Sequence, residues 1–213
     1  MITDERITSY INSLNCEKLG VLGDIEREAL EDEVPIVRME TRSFIRTLLS
    51  IKKPMKVLEV GTAVGFSAIY MSMFIPEGGH ITTIENWAPR VVKARANFER
   101  TDTGDKITLI EGDATEVLHD LNEKFDLIFM DAAKGQYINF LPDVIRLMED
   151  DGVLISDNVL QDGEVLDSKF VVERRNRTIH ARMREYLYEL THNELLDTSV
   201  ISIGDGVALS VKL

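Results

Sequence analysis

From Lys53 onward the chain alternates short β-branched or apolar runs with amphipathic stretches, and this alternation restricts the fold more than any other feature. The runs are Lys56–Val60, His80–Glu85, Ile107–Glu111, Phe125–Met130 and 152–156. Between them lie helix-patterned stretches such as 88–100, with Val91, Ala94 and Phe98, and 138–149, with Leu141, Val144 and Met148. Strand–helix–strand spacing of this kind needs crossover connections, and so a parallel sheet covered by helices on both faces. The end of the chain differs. Segments 197–203 and 207–211 flank Gly204-Asp205-Gly206, a hairpin that puts an antiparallel last strand into the sheet. Ahead of Lys53 the pattern predicts three amphipathic helices, near 4–14, 22–32 and 39–50, and no strand. The expected organisation is a single α/β domain over 1–213, with 1–52 a helical extension and 53–213 a seven-stranded, mostly parallel core.

A chain of 213 residues, 44% apolar, is long enough to bury a substantial core, roughly 70% of its unfolded surface. Its apolar runs fall far short of the ~20 residues that span a bilayer. The start, Met1-Ile-Thr-Asp-Glu-Arg6, shows no basic segment leading an apolar one. The single cysteine, Cys16, has no partner for an intramolecular disulfide. These features predict a soluble, cytoplasmic protein. The formal charge of −13 argues against coating nucleic acid by bulk charge. Charge is unevenly placed, however. Residues 169–184 hold Lys169, Arg174, Arg175, Arg177, Arg182 and Arg184 against one acid, Glu173. Arg38, Arg42 and Arg46 recur every four residues, on one face of the helix before the first strand. Such clusters suit phosphate, which makes Arg38, Arg42, Lys169, Arg174, Arg175 and Arg177 candidate RNA contacts. A solvated helix face, or a dimer contact pairing with the acidic first 34 residues, would account for the same charges.

Ligands of sheets like this bind beyond the carboxyl ends of the strands, so the residues there are the site candidates. The first strand runs into Glu59-Val-Gly61-Thr-Ala-Val-Gly65-Phe-Ser67, whose glycines permit a tight turn and close backbone approach. Its G-x-x-x-G spacing is not the G-x-G-x-x-G of nicotinamide-dependent oxidoreductases. The second strand ends in Glu85, a carboxylate able to accept from two ribose hydroxyls. Trp87 follows, placed either to cover an adenine or to pack on the next helix. The third ends in Glu111-Gly-Asp113-Ala114, where Asp113 can meet an adenine amino group or cap a helix. The fourth ends in Asp131, with Lys134 three residues on, and the fifth in Asp157-Asn158. Turn chemistry explains one such residue. Three oxygen-bearing side chains together point instead to a hard divalent cation such as Mg²⁺, held by Asp131, Asp157 and Asn158.

Together, Leu58-Glu-Val-Gly-Thr62 with Gly65-x-Ser67, Asp131-x-x-Lys134-x-x-Tyr137 and Asp157-Asn158 resemble the metal-dependent class I S-adenosylmethionine O-methyltransferases. That family includes enzymes acting on catechols and caffeoyl-CoA. Within it, Asp131–Phe140, 156–160 and 204–208 are similar to the bacterial members that methylate 5-hydroxyuridine in tRNA. The resemblance implies a Rossmann-like fold and a homodimer. It also implies S-adenosylmethionine bound near Val37, Glu59, Gly61, Ser67, Glu85, Asp113, Ala114 and Asp131. Asp131 and Lys134 become the catalytic candidates, Lys134 as general base or stabiliser of the deprotonated acceptor. The partner implied is a tRNA anticodon loop. The competing expectations are a methyltransferase of small catechol-like or CoA-linked phenols and a domain that binds an adenosine ligand without chemistry.

Overall fold

The structure, a computed structural model, describes residues 4–15, 17 and 19–213. Cys16 and the first three residues lie outside the described residues. Five strands form where the apolar runs predict: β1 (Lys56–Val60), β2 (His80–Glu85), β3 (Ile107–Glu111), β4 (Phe125–Met130) and β5 (Met148–Ser156). The hairpin supplies β6 (Leu196–Ile201) and β7 (Val207–Lys212). The seven strands lie in the order β3-β2-β1-β4-β5-β7-β6. β1 to β5 pair in parallel, and β7 is antiparallel to both neighbours. The order reverses between β1 and β4, which opens a crevice at their carboxyl ends.

Strand alternation sorts the core into two layers. Val57, Ile81, Leu127, Phe129 and Ile155 point to one face, where they meet α2 (Val21–Glu31), α3 (Met39–Lys52), α4 (Phe66–Ser72) and α5 (Ala88–Arg100). Leu58, Val60, Ile128, Met130 and Leu154 point to the other, against α6 (Ala114–Asp120), α7 (Tyr137–Leu147) and α8 (Arg177–His192). Period-two burial of both faces is what makes the central strands read as continuous apolar runs. α2 and α3 contribute Leu22, Ile25, Ala29, Ile45 and Leu49 to the first layer, so the N-terminal extension is built into the core. By contrast α1 (Glu5–Ser13) buries no residue.

Two boundaries depart from expectation, and the first is β6, which ends at Ile201 and not at 203. The stretch 138–149 predicts helix throughout, yet α7 ends at Leu147 and β5 begins at Met148. Met148 takes an extended backbone and pairs with Phe125 across a register shift in β4. A buried apolar side chain at helical spacing is therefore used by the sheet, where the cross-strand contact outweighs local pattern. Among the described residues no helix is long and apolar enough to cross a membrane.

Candidate active site

The crevice is a cavity of about 600 Å³, within the range of small-molecule sites. Its wall includes Val37, Gly61, Ser67, Glu85, Asp113, Ala114, Asp131, Lys134, Asp157 and Asn158, so most of the residues expected from the sequence converge on it. The β1–α4 turn forms one side. Gly61 has φ +105°, and a Cβ there would lie 2.3 Å from the Asp131 carbonyl oxygen, so only glycine lets the two strand ends meet. Glu85 organises the same turn: its Oε2 accepts from the Ala63 N–H at 2.9 Å. Its Oε1 accepts from the N–H groups of Asn86 and Trp87. Asp113 caps α6 through the Thr115 N–H at 2.8 Å while still lining the cavity, so capping and wall roles coincide.

Glu59 is placed differently. It is fully buried behind the turn, where its Oε2 accepts from Thr83 Oγ1 at 2.5 Å and Thr83 meets Thr62 at 2.6 Å. Burial pushes its carboxyl up to about 8, against the pull of hydrogen bonds from Ser67 and Thr83. Glu59 thus braces Ser67 and the turn from behind, and the cavity wall does not include it. Trp87 is 55% exposed, with the Arg90 guanidinium 5.2 Å from its ring centre. Asn86 and Arg90, rather than the indole, line the cavity at this point.

At the other end, Lys134 Nζ donates to Asp131 Oδ1 at 2.6 Å and to the Tyr137 hydroxyl at 3.0 Å. Tyr137 is buried and donates in turn to the Met130 and Asp157 carbonyl oxygens, at 2.9 and 3.2 Å. Its hydroxyl is held well above the ordinary range by burial and by the charges of Asp131 and Asp157, so it stays protonated. Tyr137 closes the Asp131-x-x-Lys134-x-x-Tyr137 motif. It locks Lys134 over the ends of β4 and β5, and only the fold reveals this.

Asp157 is 3% exposed. Burial and the neighbouring Asp131 charge push its carboxyl up to about 7, against the pull of Lys134. Two carboxylates confined in this way favour a counter-cation. Among the described residues no three His, Cys, Asp or Glu side chains gather as a metal cage. The set here is two carboxylates and the Asn158 amide, whose Nδ2 is occupied by Asp205 at 3.2 Å, leaving its oxygen as the ligating end. Such all-oxygen donors fit a hard divalent ion. Asp205, absent from the expected site residues, lies in the wall as well. Its marks in the sequence are its place between two hairpin glycines and within the segment 204–208 that carries part of the resemblance.

The basic candidates divide. Arg42 is not an RNA contact: it is 1% exposed, with Glu17 at 3.2 Å, Glu26 at 3.0 Å and the rings of Phe66 and Tyr70 each 5.5 Å away. Of the three arginines spaced by four, only Arg42 is turned inward, because Glu26 of α2 and the Phe66 and Tyr70 rings of α4 meet it on that side of α3. Arg46 pairs with Glu17 as well. Arg38 lines the cavity and pairs with Asp205 at 2.7 Å. Lys169, Arg174, Arg175 and Arg177 are all exposed, and Arg177 also donates to the Val172 and Phe170 carbonyls.

Comparison with known proteins agrees with this geometry. A catechol O-methyltransferase from Niastella koreensis is 28% identical over 97% of this chain and 96% of its own length. A Staphylococcus aureus structure, provisionally described as a caffeoyl-CoA O-methyltransferase, is 29% identical with a TM-score of 0.91 over 98% of this chain and 100% of that one. The O-methyltransferase of Bacillus cereus, solved in complex with SAH, shares the fold at 24% identity, TM-score 0.87, over the full length of both chains. The family model described as O-methyltransferase matches residues 15–213, and this chain belongs to that family.

Proposed function

We propose that the protein methylates the O5 hydroxyl of wobble 5-hydroxyuridine in tRNA, with S-adenosylmethionine as donor and a divalent cation such as Mg²⁺, giving 5-methoxyuridine. The observation that carries O-methyl transfer is the cluster of Asp131, Lys134, Asp157 and Asn158 at one end of a cavity whose other end presents Glu85 and Asp113. S-adenosylmethionine, when bound, supplies an electrophilic methyl group for in-line displacement. The cation, held by Asp131, Asp157 and Asn158, would supply charge stabilisation to two adjacent acceptor oxygens. A catechol offers such a pair, and so do O5 and O4 of 5-hydroxyuridine.

This chain's own residues do the rest. Glu85 presents its carboxylate where ribose hydroxyls need acceptors, and the Gly61 turn lets the donor lie against bare backbone. Lys134, fixed by Asp131 and Tyr137, is placed to take the acceptor's proton or to neutralise its oxygen. Positioning and local charge of this sort supply most of the acceleration in a displacement.

The RNA reading is supported by the segment between β5 and α8. Phe170 and Val171 are 77% and 75% exposed there, beside exposed Lys169, Arg174 and Arg175. Arg182 ties α8, the helix that follows this segment, to the Gly135 carbonyl, next to Lys134. An exposed aromatic among cations suits an unstacked base and its phosphates, as an anticodon loop presents them. We further propose a homodimer, for which exposed Ile7, Tyr10 and Ile11 on α1 offer an apolar face.

The second reading, a small catechol-like or caffeoyl-CoA-like phenol as acceptor, is favoured by the full-length similarity to the Niastella koreensis enzyme. Nucleoside analysis of tRNA from cells lacking the protein decides between them. Loss of 5-methoxyuridine with accumulation of 5-hydroxyuridine is expected. Unchanged tRNA, with turnover of free catechol by the purified protein, would establish the phenol reading.

A further inference from the structure

We propose that Asp205, on the β6–β7 hairpin, is a positioning residue that fixes which end of the Asn158 side chain faces the cation. The inference rests on the reading of Asp131, Asp157 and Asn158 as a divalent-cation site. A side-chain amide has two nearly isosteric ends, and only its oxygen can ligate a cation. Nothing within the amide selects that end, so a neighbour must. Asn158 Nδ2 donates to Asp205 Oδ2 at 3.2 Å. A carboxylate only accepts, so Asp205 binds the NH₂ end and turns the oxygen away from itself. The backbone of Asn158 is also fixed: it sits at φ +57°, and its N–H donates to Asp157 Oδ1 at 2.8 Å.

Such a selector works only if it is itself rigid, and the hairpin provides this. The Leu160 N–H donates to the Asp205 carbonyl and the Val159 N–H to the Gly206 carbonyl, both at 2.9 Å. These bonds clamp the hairpin onto the loop that follows β5. Gly204 and Gly206 have φ +55° and +87°, and a Cβ on either would come within 2.4 Å of Thr41 Oγ1 or the Leu160 side chain respectively. Arg38 holds the remaining carboxylate oxygen, Oδ1, at 2.7 Å. One carboxylate oxygen thus pairs with Arg38 and the other accepts from Asn158, Asp162 shares a hydrogen bond with the same carboxyl, and a residue 47 positions away in sequence sets the ligand.

The test is titration of the purified protein with Mn²⁺, without S-adenosylmethionine, following the free Mn²⁺ signal by electron paramagnetic resonance. Asp205→Asn can pair with Asn158 in either orientation and is expected to weaken Mn²⁺ binding about 10- to 100-fold. In an Asn158→Asp background the ligand has two equivalent oxygens, so adding Asp205→Asn should leave binding equal or tighter. Thermal unfolding of each variant confirms that the fold is intact. Wild-type Mn²⁺ affinity in Asp205→Asn would overturn the inference, as would the same loss in both backgrounds, which is the mark of a merely structural role. Those results leave the cation site standing. Absence of Mn²⁺ binding by the wild-type protein would overturn the site and this inference together.

Discussion

Arg42 provides a direct measure of how far the N-terminal extension is held to the core by charge. Its guanidinium is buried, pairs with Glu17 and Glu26, and lies over Phe66 and Tyr70. Truncation to alanine leaves Glu17, itself largely buried, with Arg46 as a single cationic partner at 2.6 Å. Breaking a buried pair by removing one member costs about 3–5 kcal/mol, and the lost cation–π contacts add about 1 kcal/mol. The surviving Arg46 contact offsets part of this, so Arg42→Ala should cost about 4 kcal/mol. For a chain of this size each kcal/mol lowers Tm by about 2–4 °C, giving a fall of about 8–16 °C. Thermal and urea unfolding measure it, with Arg175→Ala as the control. Arg175 is 82% exposed, its partner Glu173 is 64% exposed, and its loss should leave the midpoint in place. Replacing Arg42 by Met and Glu17 by Gln together should recover part of the loss, because no buried charge is then orphaned. A wild-type Tm for Arg42→Ala with weakened tRNA binding would refute the buried assignment and restore the phosphate-contact reading.

Three further expectations follow from other parts of the structure. Gly61→Ala should abolish S-adenosylmethionine binding, measured by calorimetry, because its Cβ would collide with the Asp131 carbonyl at 2.3 Å; binding at wild-type affinity would show that the strand ends separate freely. Burial raises Glu59 to about 8, so the folded state holds a proton that the unfolded chain has released above about pH 4.5. Its contribution to stability is therefore complete below the unfolded pKa and falls by up to about 1.4 kcal/mol per pH unit as pH rises towards 8. Glu59→Gln should flatten Tm between pH 5 and 8 relative to wild type; an unchanged slope would assign the dependence to other groups. Tyr186→Phe removes a buried bond of 2.6 Å to Ser156 Oγ and should cost about 1–2 kcal/mol in urea unfolding, whereas no change would mean that Ser156 finds another partner.

What the sequence determined by itself was local. The apolar runs specified β1 to β4 residue for residue, and turn chemistry placed Gly61, Glu85, Asp113, Asp131, Asp157 and Asn158 at strand ends. Period and turn preference act over a few residues, so they survive in one dimension. The boundary at Met148 was not legible, because its strand pairing depends on Phe125, far away in the chain. Tertiary structure decided the rest. Spacing alone showed Arg38, Arg42 and Arg46 as one basic face, and only the packing of α2 and α4 over α3 turned Arg42 inward. Glu59 read as a wall residue until the parallel register of β1 and β2 set it beside Thr83. Asp205 reaches Asn158 because β7 inserts between β5 and β6, an order that no local pattern encodes. Strand ends can be read from sequence because they are local. Which side chains meet across them depends on sheet order and layer packing, and these arise only from contacts between distant segments.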